Sequence, residues 1–209
     1  MSKAILILGE SGTGKSASIE SLDPAQTAII KTIDKDLPFK GSSKYNVLCS
    51  SNYAKIGNWL QSISKTKPEI KQIILDDFQY VMSIEYMNRA LERGFNKFTE
   101  IGSHAWSVLN LLDKLRDDIT VFVMSHTEIM EDGRTKMKTI GKMLDEKIIL
   151  EGLFTIVLYT CVENNNYYFL TQNNGNNTCK SPKGMFETVK MPNDLKLVCD
   201  AVTAYYSEE

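Results

Sequence analysis

The sequence predicts an α/β domain of three layers, in which helices cover both faces of a mostly parallel central sheet and an antiparallel hairpin lies at one edge. Two observations predict this fold class. Short apolar runs typical of buried strands alternate with stretches whose apolar residues recur at helical spacing. Late in the chain, two β-rich segments flank an asparagine-rich turn. Because 209 residues, 43% of them apolar, can bury one sizeable core, we expect a single domain spanning residues 1–209.

The predicted elements alternate along the chain. Apolar runs predict strands at 4–8, 27–33, 45–49, 72–77 and 119–124. Helical spacing predicts helices at 53–65, 79–93 and 103–116, a short helix at 141–150, and a C-terminal helix at about 193–206. The turn signal Asp132-Gly133 predicts a hairpin over 127–140, and the segments 154–159 and 167–171 predict a second one.

The first predicted strand runs directly into a glycine-rich turn. Residues 9–16 fit the pattern G-x-x-x-x-G-K-[ST], which is typical of loops that bind nucleotide phosphates. Glycines in such a loop let backbone N–H groups turn toward a phosphate, Lys15 can reach the β- and γ-phosphates, and Ser16 can ligate Mg²⁺. A helix starting at Ala17 adds its positive N-terminus. The alternative is a glycine-rich turn with an unrelated lysine. The predicted contacts with ATP are Gly9, Glu10, Ser11, Gly12, Thr13, Gly14, Lys15, Ser16 and Ala17, with Mg²⁺ as the second cofactor.

Two acidic residues end another buried run, at positions 76 and 77. Ligands of open α/β sheets bind outside the carboxyl ends of the parallel strands. A carboxylate at that edge can hold Mg²⁺ together with Ser16, and we predict this role for Asp76. Asp77 either polarises the attacking water or faces solvent.

The composition argues against several other classes of protein. A formal net charge of −2 gives no overall positive field for nucleic acid, so such binding requires a local basic cluster. Four cysteines without C-x-x-C spacing argue for reduced thiols in the cytoplasm and against a zinc or disulfide framework. No apolar run approaches 18 residues, so we expect no membrane span.

In the order of its parts the chain resembles RecA-like ATPases of recombination, which have a P-loop NTPase fold, and most closely the compact AAA-type ATP-binding proteins of phages that act in single-strand annealing. The resemblance covers about residues 10–185. It is carried by the phosphate loop at 9–16, the strand and acidic tip at 28–36, the segment 45–50, the strand ending at Asp76, and the strand ending at Ser125-His126.

The resemblance implies roles for several polar residues at strand ends. An acid after the second strand positions the attacking water in such proteins, and the matching residues are Asp34 and Asp36. That acid is commonly a glutamate, so the shorter aspartate leaves a solvated strand end as the alternative. Ser125 and His126 match the position that senses the γ-phosphate, and we expect His126 to act in catalysis. The alternative for His126 is a packed or capping side chain.

The resemblance also implies contact with single-stranded DNA by the loop after Ser125-His126. The far side of the predicted hairpin carries four basic residues and no acid over 133–142. Alternation places three of them on one face, as a track for phosphates requires. A solvated face balanced by the acids of the near side is the alternative. The predicted DNA contacts are Arg134, Lys136, Lys138 and Lys142.

A basic turn after the second hairpin matches the place from which RecA-like filaments insert a cation onto a neighbour's γ-phosphate. We assign Lys180 and Lys183 to this role in trans, with an ordinary basic turn as the alternative. The expected partners are single-stranded DNA, further copies of the chain in a ring or filament, and a single-strand-binding protein.

The sequence therefore predicts an ATPase that binds single-stranded DNA in annealing or strand exchange. Two other functions stay open. A non-catalytic, nucleotide-dependent adaptor in a replication or recombination complex is compatible with the uncertain catalytic acid. A small-molecule kinase is disfavoured, because the four arginines are scattered at 89, 93, 116 and 134.

Overall fold

The computed structural model describes residues 2–207, except for the side chains of residues 145 and 146; residues 1, 208 and 209 of the predicted domain lie outside the described part. The described residues form ten strands and four α-helices. The strands are β1 (Lys3–Leu8), β2 (Thr27–Lys31), β3 (Asn46–Cys49), β4 (Gln72–Asp76), β5 (Thr120–Ser125), β6 (Thr127–Ile129), β7 (Thr135–Met137), β8 (Ile156–Glu163), β9 (Asn166–Leu170) and β10 (Lys190–Pro192). The α-helices are α1 (Tyr53–Thr66), α2 (Gln79–Asn88), α3 (Asn96–Leu112) and α4 (Leu195–Ser207).

Eight strands form one sheet in the order β10-β9-β8-β1-β5-β4-β2-β3. The strands from β8 to β3 pair in parallel, and β9 and β10 add an antiparallel edge. β6 and β7 form a separate two-stranded ribbon. The predicted fold class, a three-layer P-loop NTPase fold with a mostly parallel sheet, is confirmed.

Alternating side chains of β1 explain why both faces of the sheet are covered. Leu6 and Leu8 are fully buried in a core shared with α1, α2 and α3. Ile5 and Ile7 point to the opposite face, where they pack in a second core with α4. A strand that is apolar at every position can satisfy two helical layers at once, which is why a continuous apolar run here forms the centre of the sheet.

The segment after the phosphate loop differs from a regular α-helix. Ser16–Ser21 forms a six-residue 3₁₀ helix. The hydroxyl of Ser18 donates to the carbonyl oxygen of Lys15 at 2.6 Å, and that of Ser21 donates to the carbonyl oxygen of Ser18 at 3.2 Å. These local bonds favour tight i to i+3 turns, and Pro24 follows soon after. The helix dipole contributes less at this site than the sequence suggested, because the helix is short.

The boundary between α2 and α3 also differs from the prediction. α3 starts at Asn96 instead of residue 103, and α2 ends at Asn88 instead of residue 93. The buried ammonium of Lys97 donates to the carbonyl oxygen of Glu92 at 2.8 Å and to that of Arg89 at 3.2 Å. This lysine closes the end of α2, so the chain reverses within a few residues.

The strands β1, β2, β4 and β5 end side by side, which defines the carboxyl edge of the sheet. Leu8 pairs with Ser125, and Lys31 pairs with Asp76. The polar residues that follow these strands therefore meet at one place. Among the described residues, no helix is long and apolar enough to span a bilayer.

Candidate nucleotide-binding site

A cavity of about 520 Å³ opens at the carboxyl edge. The loops after β1, β2, β4 and β5 line it, together with one residue of β9. The lining residues are Ser11, Gly12, Gly14, Lys15, Ser16, Ala17, Lys35, Asp36, Pro38, Asp77, His126 and Tyr167. Most of the predicted phosphate loop and three of the predicted strand-end residues, Asp36, Asp77 and His126, are thus brought to one cavity, whereas Gly9, Glu10 and Thr13 are not among its lining residues.

Close packing around the loop explains why glycine stands at two of its positions. A Cβ at Gly9 would lie 1.9 Å from Thr160 Oγ1, and the Thr160 hydroxyl is also 2.5 Å from that of Thr13. Gly14 has φ +98°, and a Cβ there would lie 2.9 Å from Tyr167. At Gly9 and Gly14 the backbone of the loop therefore lies so close to β8 and β9 that a side chain would not fit.

Lys15 is buried and folded back onto the loop. Its ammonium donates to the carbonyl oxygen of Gly9 at 2.8 Å and to that of Glu10 at 2.7 Å. Burial lowers the pKa of Lys15 to about 8, although the carboxylates of Asp77 and Asp76 partly oppose this shift. A phosphate would offer the ammonium a stronger acceptor than two carbonyl groups, so Lys15 is held close to the position where it can bind one.

Ser16 and Asp76 form the predicted magnesium pair. The hydroxyl of Ser16 donates to Asp76 Oδ1 at 2.8 Å. Burial raises the pKa of the Asp76 carboxyl, and the neighbouring Asp77 raises it further, whereas the bond from Ser16 acts in the opposite direction. A buried carboxylate beside a hydroxyl and a phosphate-binding loop is a suitable donor set for Mg²⁺ with a nucleotide, so the residues fit this cofactor pair.

Asp77 turns into the cavity through an unusual backbone conformation. Its φ is +59°, in the left-handed region, where non-glycine residues are uncommon. The carboxylate contacts the Lys35 ammonium at one oxygen and His126 Nε2 at 3.3 Å at the other. Burial alone raises the pKa of Asp77, but the hydrogen bonds from His126 and Lys35 outweigh it and lower the pKa to about 2. Asp77 is therefore an anion that organises two donors, rather than a solvent-facing acid.

Gln79 connects the end of β5 to the start of α2. Its side-chain oxygen accepts from the Ser125 hydroxyl at 3.3 Å and from the His126 backbone N–H at 3.1 Å. Gln79 Nε2 is buried and lacks a hydrogen-bond partner within the described residues. The two residues predicted to sense the γ-phosphate are thus joined to Asp77 on one side and to a helix on the other.

The two predicted water-positioning acids are placed differently from each other. Asp36 lines the cavity, and its side chain is exposed. The side chain of Asp34 is 90% exposed, lies 3.6 Å from the Lys31 ammonium and does not line the cavity. Lys35, between them, points to Asp77.

The four predicted DNA-binding residues lie between β6 and β7, on β7 and after it, and acids balance at least two of them, Arg134 and Lys136. Arg134 forms a 2.8 Å ion pair with Asp132, and Lys136 lies 3.3 Å from Glu128, its cross-strand neighbour. Lys138 and Lys142 are exposed. Lys138 also ties the ribbon to the site, because its backbone N–H donates to the carbonyl oxygen of His126 at 2.9 Å.

The two lysines predicted to act in trans lie on the surface. Lys180 forms an isolated antiparallel bridge with Val157 of β8, so its backbone position is fixed while its side chain is exposed. Lys183 is exposed on the same loop. Neither residue lines the cavity of its own chain, as far as the described residues show.

Several residues of the site had no role in the sequence analysis, among them Lys35, Gln79, Thr160 and Tyr167. Lys35 lies between the candidate acids Asp34 and Asp36. Because successive side chains of an extended segment point to opposite sides, the available signal was that Lys35 and the two acids face different ways. Gln79 follows Asp77 by two residues, and this closeness in the sequence was the signal that it lies near the carboxyl edge of the sheet. Thr160 carried no local signal, because its contact with the phosphate loop joins residues 147 positions apart.

Together, the fold and the site define a P-loop nucleotide-binding protein. A glycine loop after β1, a buried lysine, and a serine paired with an acid at the end of β4 meet at one edge of a parallel sheet. A family model described as an AAA domain matches residues 1–183. The chain therefore belongs to the AAA domain family, a family of P-loop ATPase domains. No curated protein matches the chain significantly.

Proposed function

We propose that this chain is a Mg²⁺-dependent ATPase that binds single-stranded DNA as an oligomer, in phage-type annealing or strand exchange. The observation that carries the proposal is the continuity between the site and the ribbon. His126 contacts Asp77 in the cavity, and the β6–β7 ribbon begins at the next residue. A change at the γ-phosphate position can therefore reach the ribbon through one residue.

The residues of the site divide the binding of the nucleotide among them. The loop N–H groups and Lys15 hold the phosphates, and Ser16 and Asp76 hold the metal. When bound, Mg²⁺ neutralises charge on the phosphate oxygens. Ser125 and His126 respond to the presence of the terminal phosphate. Gln79 accepts a hydrogen bond from each of them and so couples their response to α2. Asp36 is the better placed of the two candidate acids to position water, because it lines the cavity.

Assembly supplies what one chain lacks in this proposal. Lys180 and Lys183 are exposed and lie outside the cavity of their own chain, as residues acting on a neighbour must. A cation inserted next to the terminal phosphate stabilises charge in the transition state of hydrolysis. Hydrolysis by an isolated chain is accordingly slow. A single-strand-binding protein is the further partner we propose.

The DNA component rests on Arg134, Lys136, Lys138 and Lys142. If all four neutralise phosphates, the logarithm of affinity falls against the logarithm of salt concentration with a slope of about −2.8, from about −0.7 for each phosphate of a single strand. The pairs formed by Arg134 and Lys136 with acids reduce this value, because each pair must open before the cation can serve a phosphate.

ATP turnover with and without single-stranded DNA, measured at several salt concentrations, tests the proposal. We expect turnover to rise with DNA at low salt and the rise to vanish in the Lys136→Ala/Lys138→Ala variant. Lys44→Ala, an exposed lysine outside the ribbon, is the matched control and retains the rise. Turnover that ignores DNA at every salt concentration would remove the DNA component and leave the ATPase.

A nucleotide-dependent adaptor without turnover is the second candidate. It is favoured by the state of the acids at the edge: Asp34 faces solvent, and both oxygens of Asp77 are occupied by donors. Tight ATP binding with no release of phosphate, even with DNA present, would support this function. A small-molecule kinase has less support, since within the described residues no arginine lines the cavity.

A further inference from the structure

The loop after β2 directs a cation into the cavity. The ammonium of Lys35 contacts Asp77 and lines the same cavity as Lys15 and Ser16. Its position is therefore at the end of the site where β4 and β5 terminate, which is also where His126 lies. Two lysines, one from the phosphate loop and one from the β2 loop, thus face a single cavity.

The placement of Lys35 is held by several bonds from its neighbours. The Lys31 ammonium donates to the carbonyl oxygen of Lys35 at 2.7 Å. Three residues before Lys35, the hydroxyl of Thr32 donates to the carbonyl oxygens of Asp76 at 3.1 Å and Asp77 at 2.7 Å. These bonds tie the start of the loop to the tip of β4, so the direction of Lys35 follows from the fold.

We propose that Lys35 is a phosphate-binding residue that contacts the terminal phosphate of a nucleoside triphosphate, and that Asp77 holds it in position until the nucleotide arrives. This inference rests on the proposed binding of ATP at residues 9–16. The loop after β2 then supplies a cation that binds the phosphate, whereas the sequence suggested that this loop supplies an acid that positions the attacking water.

The exposure of the two partners decides which of them can move. The Asp77 side chain is 3% exposed and is held by His126 as well, whereas the Lys35 side chain is 47% exposed on a flexible stem. An incoming terminal phosphate brings more negative charge than one carboxylate. Lys35 therefore shifts toward the phosphate, and Asp77 keeps its bond to His126.

A cation at this place distinguishes triphosphates from diphosphates. Lys15 belongs to the phosphate loop and can reach the β-phosphate, which ATP and ADP both carry. Lys35 belongs to the loop after β2 and serves only the phosphate that ADP lacks. The residue thus contributes to the preference of the protein for ATP over ADP.

The test is calorimetric titration of Mg²⁺ with a non-hydrolysable ATP analogue, and separately with ADP, into four forms of the full chain. These are the unaltered protein, Lys35→Met, Lys35→Arg and the control Lys40→Met. Lys40 is exposed on the same loop but does not line the cavity, so its variant removes an equal charge from the same loop.

We expect Lys35→Met to bind the ATP analogue about tenfold to about a hundredfold more weakly, as expected for the loss of a hydrogen bond between charged groups. Its affinity for ADP stays within about twofold of the unaltered protein. Lys35→Arg recovers most of the preference, and Lys40→Met leaves both affinities unchanged. Equal losses for the ATP analogue and ADP, or no loss for either, would overturn the proposal.

A second measurement on the unaltered protein covers the case in which Lys35→Met fails to fold. Lysines are acetylated under limiting conditions, and mass spectrometry reads the modification of Lys35. The ATP analogue protects Lys35 more than ADP does if the proposal holds, and equal protection overturns it. The proposed function fails separately, since an unaltered protein that binds neither nucleotide ends the ATPase proposal whatever Lys35 does.

Discussion

The carboxyl edge of the sheet and the β6–β7 ribbon both carry clusters of charge, but they hold them differently. At the edge, the buried carboxylate of Asp77 is bonded to Lys35 and His126, which come from distant parts of the chain. On the ribbon, Arg134 and Lys136 pair at the surface with acids of the same hairpin.

The difference teaches which charges deserve a functional interpretation. Burying an ion is costly unless partners compensate, so a buried cluster that opens into a cavity is retained for a reason beyond solubility. An exposed pair between neighbouring residues contributes little and forms in many surface hairpins. The edge is therefore the stronger site, and the ribbon needs its own tests.

The largest effect is expected from Lys15→Ala. Nucleotide affinity falls by about a hundredfold or more, because a hydrogen bond to a charged group contributes about 1.5–3 kcal/mol and the lysine makes more than one. Thermal stability stays close to that of the unaltered protein, because the loss of the two hydrogen bonds of Lys15 is offset by removal of a charge whose burial is costly. Calorimetry with ATP and Mg²⁺ measures the affinity, with the exposed Lys44→Ala as control. Unchanged affinity in Lys15→Ala would contradict the assignment of the site.

A smaller effect, on stability, is expected from Gly9→Ala. The added methyl group meets Thr160 Oγ1 at 1.9 Å, and such overpacking costs about 1–3 kcal/mol. Chemical denaturation measures the loss. Gly152→Ala serves as control, because a Cβ at Gly152 meets open space.

The double variant Gly9→Ala/Thr160→Ala sharpens this result. Removing the Thr160 hydroxyl takes away the closest atom, so part of the lost stability returns. If the two losses simply add, then contact between the phosphate loop and β8 is not the cause.

The pKa of Lys15 predicts a pH dependence of ATP binding. In the free protein the pKa of Lys15 is lowered to about 8. Bound phosphates raise this pKa, so the protein takes up a proton when it binds ATP at a pH above 8. Affinity therefore falls as pH rises, by about tenfold between pH 7 and pH 9. Calorimetry in buffers of different ionisation enthalpy measures the proton uptake. Uptake that stays the same at pH 7 and pH 9 would exclude Lys15 as the linked group.

The smallest effect is expected on the ribbon, where single substitutions separate paired from exposed cations. Lys138→Ala reduces the steepness of the salt dependence of single-stranded DNA binding by about 0.7. Lys136→Ala reduces it by less, because Glu128 already neutralises part of that charge. Fluorescence anisotropy across a salt series gives both slopes. Equal changes in the two variants would show that the Lys136–Glu128 pair does not persist in solution.

Several features of the site were predictable because their signal is local. The apolar strand 4–8, the glycine loop and the acid at position 76 each occupy a few consecutive residues, and the parallel sheet brings strand ends to one edge. The α2–α3 boundary was predicted wrongly, because the buried Lys97 that closes α2 has the composition of a surface residue. After β2, the sequence pointed to the acids at positions 34 and 36, and it gave no clear signal that the lysine between them lines the cavity.

By itself, the sequence determined the order of most strands and helices, the position of the phosphate loop and the approximate place of the predicted metal ligands, because periodicity and short motifs act between near neighbours. It missed β10 and did not distinguish the short π- and 3₁₀ turns within 143–153 from an α-helix. Only the tertiary structure decided that Lys35 reaches Asp77 across 42 positions, that Thr160 requires glycine at position 9, and that acids balance two cations of the ribbon. These contacts depend on how packed layers bring remote segments together, and burial then determines which charges must be paired.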